Sequence, residues 1–541
     1  FFTKEAYDEF KMSKEERELM EEQEKEKEGD KEDEKDKKGK GDKEKEEEIE
    51  PVKIDLNNLE DRKLRLTIHS SFLSDAVISS DGKAMYYLSR GENGYDLWMQ
   101  DFEKKETKML VPLKSRSGGD LFIDKKGENL VVATSAKILK IGIKEKKPKP
   151  VSYMAEFYLD EDLEREYMFE HVWRQVKKKF YDPELHGVDW DFYKAEYEQK
   201  LAGINNNYDF TEMLSEMLGE LNASHTGSGF NPRNDKRDAS ASLGLFYDFN
   251  TGGDGLLVKE IIKKGPFDNA DSKLKPGMRI EKINGEPIVE GADYFPMLNH
   301  LAGKPTLIGI YDPEKKERWD ETIKPISMGQ EYNLLYKRWV ENRRKETEQL
   351  SDGRIGYVHV RGMNSQSFRE VYSEVLGRNY KTEAIIVDTR FNGGGWLHDD
   401  LATFLNGEQY ASFWPRGHEN YGGEPLNKWW KPSIVLIGEG NYSDAHGFPF
   451  AYRALSVGKT VGMPIPGTMT AVWWESLQNN EIYFGIPQLG VKDMDGNYQE
   501  NMQFEPDIKV AQEYEVVTTG RDQQLEKAVE VLLEELDAND N

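Results

Sequence analysis

The sequence predicts a multidomain protein of the α+β and α/β classes, and three observations support this. At 541 residues the chain is too long for one hydrophobic core, so about three or four domains are expected. Short β-rich runs between glycine turns fill residues 54–150, whereas residues 160–235 have helical periodicity. Residues 329–520 alternate strands with helices, which predicts an α/β core with a parallel or mixed sheet.

The composition excludes several classes of function. A net charge of −27 argues against a nucleic-acid partner, because phosphate backbones require a basic surface. The absence of cysteine excludes disulfides, a thiol nucleophile and thiolate metal sites. No apolar run approaches the roughly 18 residues of a membrane span. Histidines and carboxylates lack the ligand spacing of zinc or calcium sites, so no metal and no cofactor is expected. These features leave the compartment open between cytoplasm and periplasm.

Residues 1–53 are dominated by Lys, Glu, Asp and Gly over much of their length. Such a composition is typical of a solvated, low-complexity insertion or linker, and an interaction tail is the alternative. The chain begins with Phe1 rather than Met, so we expect a fragment or a processed product.

Residues 54–150 contain a repeated pattern of strands and turns. Gly82 and Gly127 end similar turns, and each turn leads into an apolar run and a further strand. A period near 45 residues with about four strands per unit is typical of β-propeller blades. Two blades cannot close a propeller, so we expect only a partial one here.

Two segments follow that differ in texture. Residues 160–235 predict a helical subdomain with helices over residues 163–180, 190–201 and 210–221. Residues 238–328 predict a small β module. Its Leu243-Gly244-Leu245 opening and its tight turn at Asn284-Gly285 resemble a PDZ domain, a fold that binds extended peptides by strand addition.

The core at residues 329–520 is followed by a C-terminal helix and tail at residues 521–541. Within this core, Ser443 is the first candidate for a catalytic residue. It lies between a strand-like run at 433–437 and a helix-like run at 448–455. A serine at a sharp strand-to-helix turn exposes its hydroxyl beside helix N-terminal amides, as the nucleophile of a serine hydrolase does. A plain N-cap is the alternative.

The glycine run 393–395 follows a buried strand that ends at Asp388. Bare amides there could stabilise an oxyanion, or the glycines could serve only a tight turn. A phosphate loop is excluded, because the spacing is wrong and no Lys-Ser or Lys-Thr follows.

His225 is a candidate for the general base and Glu500 for the carboxylate that orients it. His225 ends a helix and could be an ordinary C-cap, but a hydrolytic serine needs a base. His446 is closer in sequence to Ser443, yet on the first turn of the next helix it should point away, as a local capping or pocket residue. Glu500 follows a hairpin turn and could orient the imidazole, or form only a polar edge.

Together these segments resemble the tricorn protease family, the tetrad branch of the carboxyl-terminal processing peptidases. That family has a Ser-His pair after a helical subdomain, a PDZ domain, an Asp-x-Arg-x-Asn-Gly-Gly-Gly loop, a Ser-Asp turn and a Glu-Asn-x-x-x-x-Pro-Asp segment. All five occur here in that order, over residues 160–515. The Ser-Lys dyad of the sister branch fails, because no Lys or Arg lies between Thr460 and Val491.

The resemblance implies a role for each matching residue. Ser443 is the nucleophile and His225 the general base, and Ser224 and Glu500 form the hydrogen-bond network around the histidine. The amide of Asp444 and one glycine amide form the oxyanion hole; Gly394 is preferred and Gly395 is the alternative. His446 and Gln503 depart from the family pattern and affect only the expected shape of the pocket.

The expected function is a serine endopeptidase or oligopeptidase that hydrolyses peptides or unfolded polypeptide through an acyl-enzyme. The resemblance also implies a homo-oligomer with peptide substrates as partners. Two other functions are possible: a catalytically silent peptide-binding scaffold, and a hydrolase of non-peptide esters. Trp473 and Trp474 could line the substrate pocket or pack in the fold.

Overall fold

The computed structural model describes residues 1–13, 15–17, 19–20, 52–234 and 236–539. The chain forms two compact units, Phe1–Tyr158 and Leu159–Asn541. Most of the charged segment predicted at residues 1–53 lies outside the described residues. Within the described part, no helix is both long and apolar enough to cross a membrane.

The first unit contains a short helix, α1 (Lys4–Lys11), and two antiparallel four-stranded sheets. The strands of these sheets are β1 (Leu73–Ile78), β2 (Ala84–Gly91), β3 (Gly94–Asp101), β4 (Glu106–Ser115), β5 (Gly119–Ile123), β6 (Asn129–Thr134), β7 (Ile138–Gly142) and β8 (Pro148–Val151). Each sheet is an open meander in sequence order, and its first turn ends at a glycine with positive φ, Gly82 or Gly127. The two sheets share one apolar core.

The second unit begins with three helices, α2 (Glu161–Lys179), α3 (Trp190–Glu198) and α4 (Asn207–Gly219). The three predicted helices are therefore confirmed to within a few residues. Each begins after a capping side chain, Asp160, Asp189 or Asn206, that accepts backbone N–H groups of the first turn. Their apolar faces form one buried cluster.

A β-rich module follows the helices, as the sequence predicts. Its strands are β10 (Ala241–Ser242), β11 (Leu245–Tyr247), β12 (Leu256–Ile261), β13 (Arg279–Ile283), β14 (Glu286–Pro287), β15 (Thr306–Asp312), β16 (Glu317–Ile323) and β17 (Ile326–Ser327). The main sheet has the order β11-β12-β13-β15-β16. Asn284 and Gly285 both have positive φ, so the two-residue turn between β13 and β14 has the conformation that favours this dipeptide.

A five-stranded parallel sheet forms the centre of the last segment, in the order β18 (Ile355–His359), β19 (Ala384–Asp388), β22 (Ser433–Ile437), β23 (Lys459–Gly462) and β26 (Ile508–Lys509). Its helices are α5 (Met328–Leu350), α6 (Ser365–Ser373), α7 (His398–Leu405), α8 (Asp444–Ala454), α9 (Tyr514–Val517) and α10 (Gln523–Asn539). Separate apolar clusters cover the two faces of the sheet. The mixed α/β class predicted for this core is confirmed.

The topology of this sheet positions the two candidate loops. β19 and β22 are adjacent and parallel, so their carboxyl ends, Asp388 and Ile437, lie at the same edge. Ligands and reacting groups of open parallel sheets collect at that edge. The glycine loop after β19 and the serine turn after β22 are therefore neighbours.

Two small antiparallel sheets complete the unit. One pairs β20 (Ala411–Ser412) with β21 (Gly423–Glu424), and the other has the order β24 (Thr470–Ser476), β25 (Ile482–Gly490) and β9 (Gly227–Phe230). Because β9 follows α4 directly, the second small sheet brings the end of the helical segment to the parallel sheet's edge. His225 lies in this connection.

Candidate active site

Ser443 occupies a strained turn directly before α8. Its φ is 57° and its ψ is −126°, values that cost a non-glycine residue roughly 1–3 kcal/mol. The Ser443 side chain makes no capping bond, and within the described residues its hydroxyl makes no hydrogen bond at all. Thr468 Oγ1 accepts the Ser443 N–H at 2.9 Å and fixes the turn. The hydroxyl is therefore held in place with its own bonding capacity unused.

The helix after Ser443 begins four residues earlier than predicted, at Asp444. The sequence does not predict this start, because Gly447 and Pro449 in the first turns are both poor helix formers. Pro449 cannot donate to the carbonyl of Ala445, and the side chain of Asn441 donates to that carbonyl instead, at 3.2 Å. Asn441 thus stabilises the first turn of α8 against its proline.

His225 lies in a left-handed conformation, with φ of 62°, between α4 and β9. Its Nδ1 is 2.8 Å from Ser224 Oγ and 3.0 Å from Thr470 Oγ1. Burial lowers the pKa of His225 to about 4, because an imidazolium loses hydration there. The ring is therefore neutral at pH 7.

Glu500 fixes the tautomer of this histidine through Ser224. Ser224 donates its N–H to Glu500 Oε1 at 2.5 Å and its hydroxyl to Oε2 at 3.0 Å. Since the single hydroxyl proton of Ser224 points to Glu500, the hydroxyl can only accept from His225 Nδ1–H. The other ring nitrogen, Nε2, is then unprotonated and can accept a proton. Burial raises the pKa of Glu500, and the bonds from Ser224 oppose that shift.

The glycine loop is anchored by a buried ion cluster below it. Arg390 pairs with Asp388 at 2.6 Å and with Asp522 at 2.9 Å, and all three side chains are almost fully buried. Further along, Asn392 Nδ2 donates to the carbonyl of Val360 at 2.8 Å. The ion cluster and the hydrogen bond from the Asn392 side chain hold both ends of the turn that precedes the glycines.

The two candidate oxyanion glycines differ in what their amides do. The N–H of Gly394 donates to Asn392 Oδ1 at 2.9 Å, so it is already used inside the loop. The N–H of Gly395 has no acceptor within the described residues, and Gly395 lines the cavity beside Ser443. Of the two glycines, only Gly395 therefore has an unbonded amide in the described part of the chain.

Asp444 joins the serine turn to the glycine loop. Its Oδ2 accepts the N–H groups of Leu397 and His398, at 2.5 and 3.1 Å, and its Oδ1 is 2.5 Å from His398 Nδ1. This bond from Asp444 raises the pKa of His398. The backbone N–H of Asp444 has no acceptor among the described residues. The carboxylate thus fixes Gly395 and Ser443 relative to each other while the Asp444 amide stays unoccupied.

The residues with unbonded groups, Ser443, Gly395 and Asp444, line a cavity of about 140 Å³. It is lined by His225, Gly395, Trp396, Ser443, Asp444, Met469, Thr470, Ala471, Val472 and Val491. Three of the predicted site residues line it, His225, Ser443 and Asp444, and so does Gly395, the alternative to Gly394. Ser224 and Glu500 lie directly behind His225. Within the described residues no group of three or more His, Cys, Asp and Glu could hold a metal ion.

His446 does not line this cavity. It is fully buried, its Nδ1 accepts the N–H of Thr468 at 3.3 Å, and burial lowers its pKa to about 4. Gln503, the other departure from the family pattern, is exposed and donates to Glu505. Neither residue competes with His225 for Ser443.

Three further residues belong to the candidate site without having been predicted from the sequence: Thr470, Tyr442 and His398. Thr470 bonds His225 Nδ1, Tyr442 accepts the His225 N–H at 2.7 Å, and His398 binds Asp444. Only Tyr442 gave a usable signal, since it directly precedes Ser443. Thr470 and His398 can be recognised as site residues only in the folded chain, because their partners His225 and Asp444 lie far away in sequence.

Parts of the chain are similar to known protein families. Residues 161–219 match the model of the Tricorn protease C1 domain, and residues 354–510 match Peptidase family S41. A tricorn protease homolog of Saccharolobus solfataricus is 25% identical over 394 residues, which are 70% of this chain and 36% of that protein. The tricorn protease of Thermoplasma acidophilum is 24% identical over 378 residues, 68% of this chain and 35% of that protein.

A solved structure shows the same fold. The crystal structure of the tricorn protease superposes with a TM-score of 0.77 at 20% identity, over 90% of this chain and 49% of that one. The chain spans less than half the length of these relatives. In its C1 segment, its S41 segment and its fold, the chain is therefore similar to tricorn proteases.

Proposed function

We propose that this chain is a serine peptidase that hydrolyses peptides or unfolded polypeptide through an acyl-enzyme. The proposal rests on the hydrogen bonds that connect Glu500 through Ser224 to His225. His225 and Ser443, whose hydroxyl is unbonded, line the same cavity. A base oriented by a buried carboxylate, next to an unused nucleophile, is the arrangement required for nucleophilic catalysis.

In the first step Ser443 Oγ attacks the substrate carbonyl, and His225 Nε2 takes the hydroxyl proton. The His225–Ser224–Glu500 chain stabilises the imidazolium that forms, because Nδ1–H donates toward Ser224 and Glu500 carries the negative charge. His225 then gives the proton to the leaving amine, and the bond between carbonyl carbon and amine nitrogen breaks. The product is an acyl-enzyme on Ser443.

The oxyanion of the tetrahedral intermediate would accept bonds from the amides of Asp444 and Gly395. Both N–H groups lack an acceptor in the described chain and both residues line the cavity, which supports this assignment. Removing one such donor typically costs about 100- to 1,000-fold in kcat. In the second half-reaction, water attacks the acyl-enzyme with His225 again as base, and Ser443 regains its proton.

The remaining modules would control access to the site. We assign the two open four-stranded sheets as β-propeller blades and residues 238–328 as a PDZ-like module. The Asn284-Gly285 turn and the β11-β12-β13-β15-β16 sheet support the second assignment. A homo-oligomer with peptide substrates completes the proposal, as the family resemblance implies.

Active-site labelling tests this function. A fluorophosphonate probe reacts only with an activated serine, so mass spectrometry should locate the label on Ser443 and should find none in Ser443→Ala. His225→Ala should lose the label as well, since the base is gone. A folded wild-type sample that takes no label contradicts the peptidase and favours a peptide-binding scaffold.

A further inference from the structure

The cavity beside Ser443 has a wall that takes no part in the proposed chemistry. This wall, called here the apolar wall, consists of Trp396, Met469, Ala471, Val472 and Val491. The cavity measures about 140 Å³, close to the roughly 150 Å³ of an apolar cavity that accepts benzene. A leucine- or phenylalanine-sized group therefore matches the space better than a small residue does.

Charged groups that could bind a substrate side chain are nearly absent from this cavity. Among its lining residues, only Asp444 carries a carboxylate, and both of its oxygens already accept bonds from Leu397 and His398. His225 is neutral at pH 7. A charged substrate side chain would lose its hydration here without gaining a counter-ion, which is strongly unfavourable.

Met469 forms the most deeply buried part of the apolar wall. It is 5% exposed, and its terminal methyl lies where a Cβ at Gly447 would be, only 2.5 Å from that position. The lack of a side chain at Gly447 on α8 thus provides the space that the end of the methionine occupies. A thioether side chain adapts its shape easily, so the wall can fit several apolar groups.

The strand that carries Ala471 and Val472 can also hold a substrate main chain. β24 is an edge strand, because β25 pairs with one side of it and no described strand pairs with the other. An unpaired edge accepts an extended peptide by strand addition. A peptide bound there would run past Ser443 with its side chains directed to the cavity or away from it in alternation.

We propose that the apolar wall is the specificity pocket for the residue whose carbonyl Ser443 attacks, and that this chain cleaves after apolar residues of leucine to phenylalanine size. The inference rests on the proposed peptidase function and names its substrate class. Cleavage after lysine, aspartate or glycine is disfavoured, because the pocket offers charge no partner and leaves a small residue without contacts.

Internally quenched peptides that differ only at this residue test the inference. We expect kcat/KM for Leu or Phe to exceed that for Lys, Asp and Gly by at least tenfold. Val472→Asp places a carboxylate on the apolar wall and should raise the Lys-to-Leu ratio by tenfold or more. Leu489→Asp is the matched control on the neighbouring strand β25; it lies outside the cavity and should leave the ratio unchanged.

The outcomes separate this inference from the function on which it rests. Cleavage that persists in Ser443→Ala overturns the peptidase assignment and the pocket together. Cleavage that needs Ser443 but favours Lys, Asp or Gly overturns the pocket alone. If Val472→Asp fails to fold, as judged by loss of fluorophosphonate labelling, the wild-type substrate series decides the question by itself.

Discussion

The hydroxyl of Tyr442 accepts a hydrogen bond from the backbone N–H of His225 at 2.7 Å, and the two rings lie 4.8 Å apart. The two residues are 217 positions apart in the chain. Since Tyr442 directly precedes Ser443, this bond connects the segment of His225, the proposed base, to the turn of Ser443, the proposed nucleophile. It sets the position of the histidine without taking part in proton transfer.

Tyr442→Phe should lower kcat roughly tenfold and leave KM nearly unchanged. The variant keeps the ring contact but removes the acceptor, and a lost bond of this kind is worth about 1–2 kcal/mol. Steady-state kinetics on one peptide measures the effect. Tyr483→Phe on β25 is the control, because its hydroxyl makes no hydrogen bond in the described chain. Equal kcat in Tyr442→Phe and wild type would show that the bond does not position His225.

The acidic limb of the kcat/KM profile should lie near pH 4 rather than near 6.5. Burial lowers the pKa of His225 to about 4, and the base works only when neutral, so activity should stay level from pH 7 to about 5 and then fall. Tryptophan fluorescence recorded in parallel identifies any loss that comes from unfolding. An acidic limb near pH 6.5 in folded protein would contradict the burial argument.

His398→Gln should destabilise the protein more at pH 6 than at pH 9. Asp444 raises the pKa of His398 above its ordinary value of about 6.5, so the ion pair is fully present below that value and is lost as pH rises through the higher one. Urea unfolding at both pH values measures the difference in free energy of unfolding from wild type. The exposed His418→Gln serves as control, and an effect of His398→Gln that is the same at both pH values would exclude a charged pair.

Asp522→Ala should lower the free energy of unfolding by about 3–5 kcal/mol, because it leaves the buried Arg390 without one of its two carboxylates. The variant should also lose activity, since Arg390 anchors the glycine loop. Denaturant titration checks the stability and fluorophosphonate labelling checks the site. The exposed Asp399→Ala should change stability by less than about 1 kcal/mol. A similarly small effect of Asp522→Ala would mean that Asp388 alone suffices.

Local patterns in the sequence predicted the elements that carry the site. The runs at 384–388 and 433–437 are the buried strands β19 and β22 with the same bounds, because a short apolar run with no polar face is typical of a fully buried strand. The start of α8 at Asp444 differs from the predicted start at Phe448, because the side chain of Asn441 compensates for Pro449. That compensation depends on a contact that no local propensity encodes.

The sequence by itself predicted which residues would carry the chemistry, because each sits at a characteristic position in an ordered set of motifs: Ser443 at a strand-to-helix turn, His225 after a helix, Glu500 after a hairpin. The tertiary structure decided how they are connected. It assigned the free amide to Gly395 rather than Gly394, since Asn392 occupies the latter. It also brought Thr470 to His225 across 245 positions. Hydrogen bonds act over about 3 Å, so which distant groups share them is fixed only when the chain has folded.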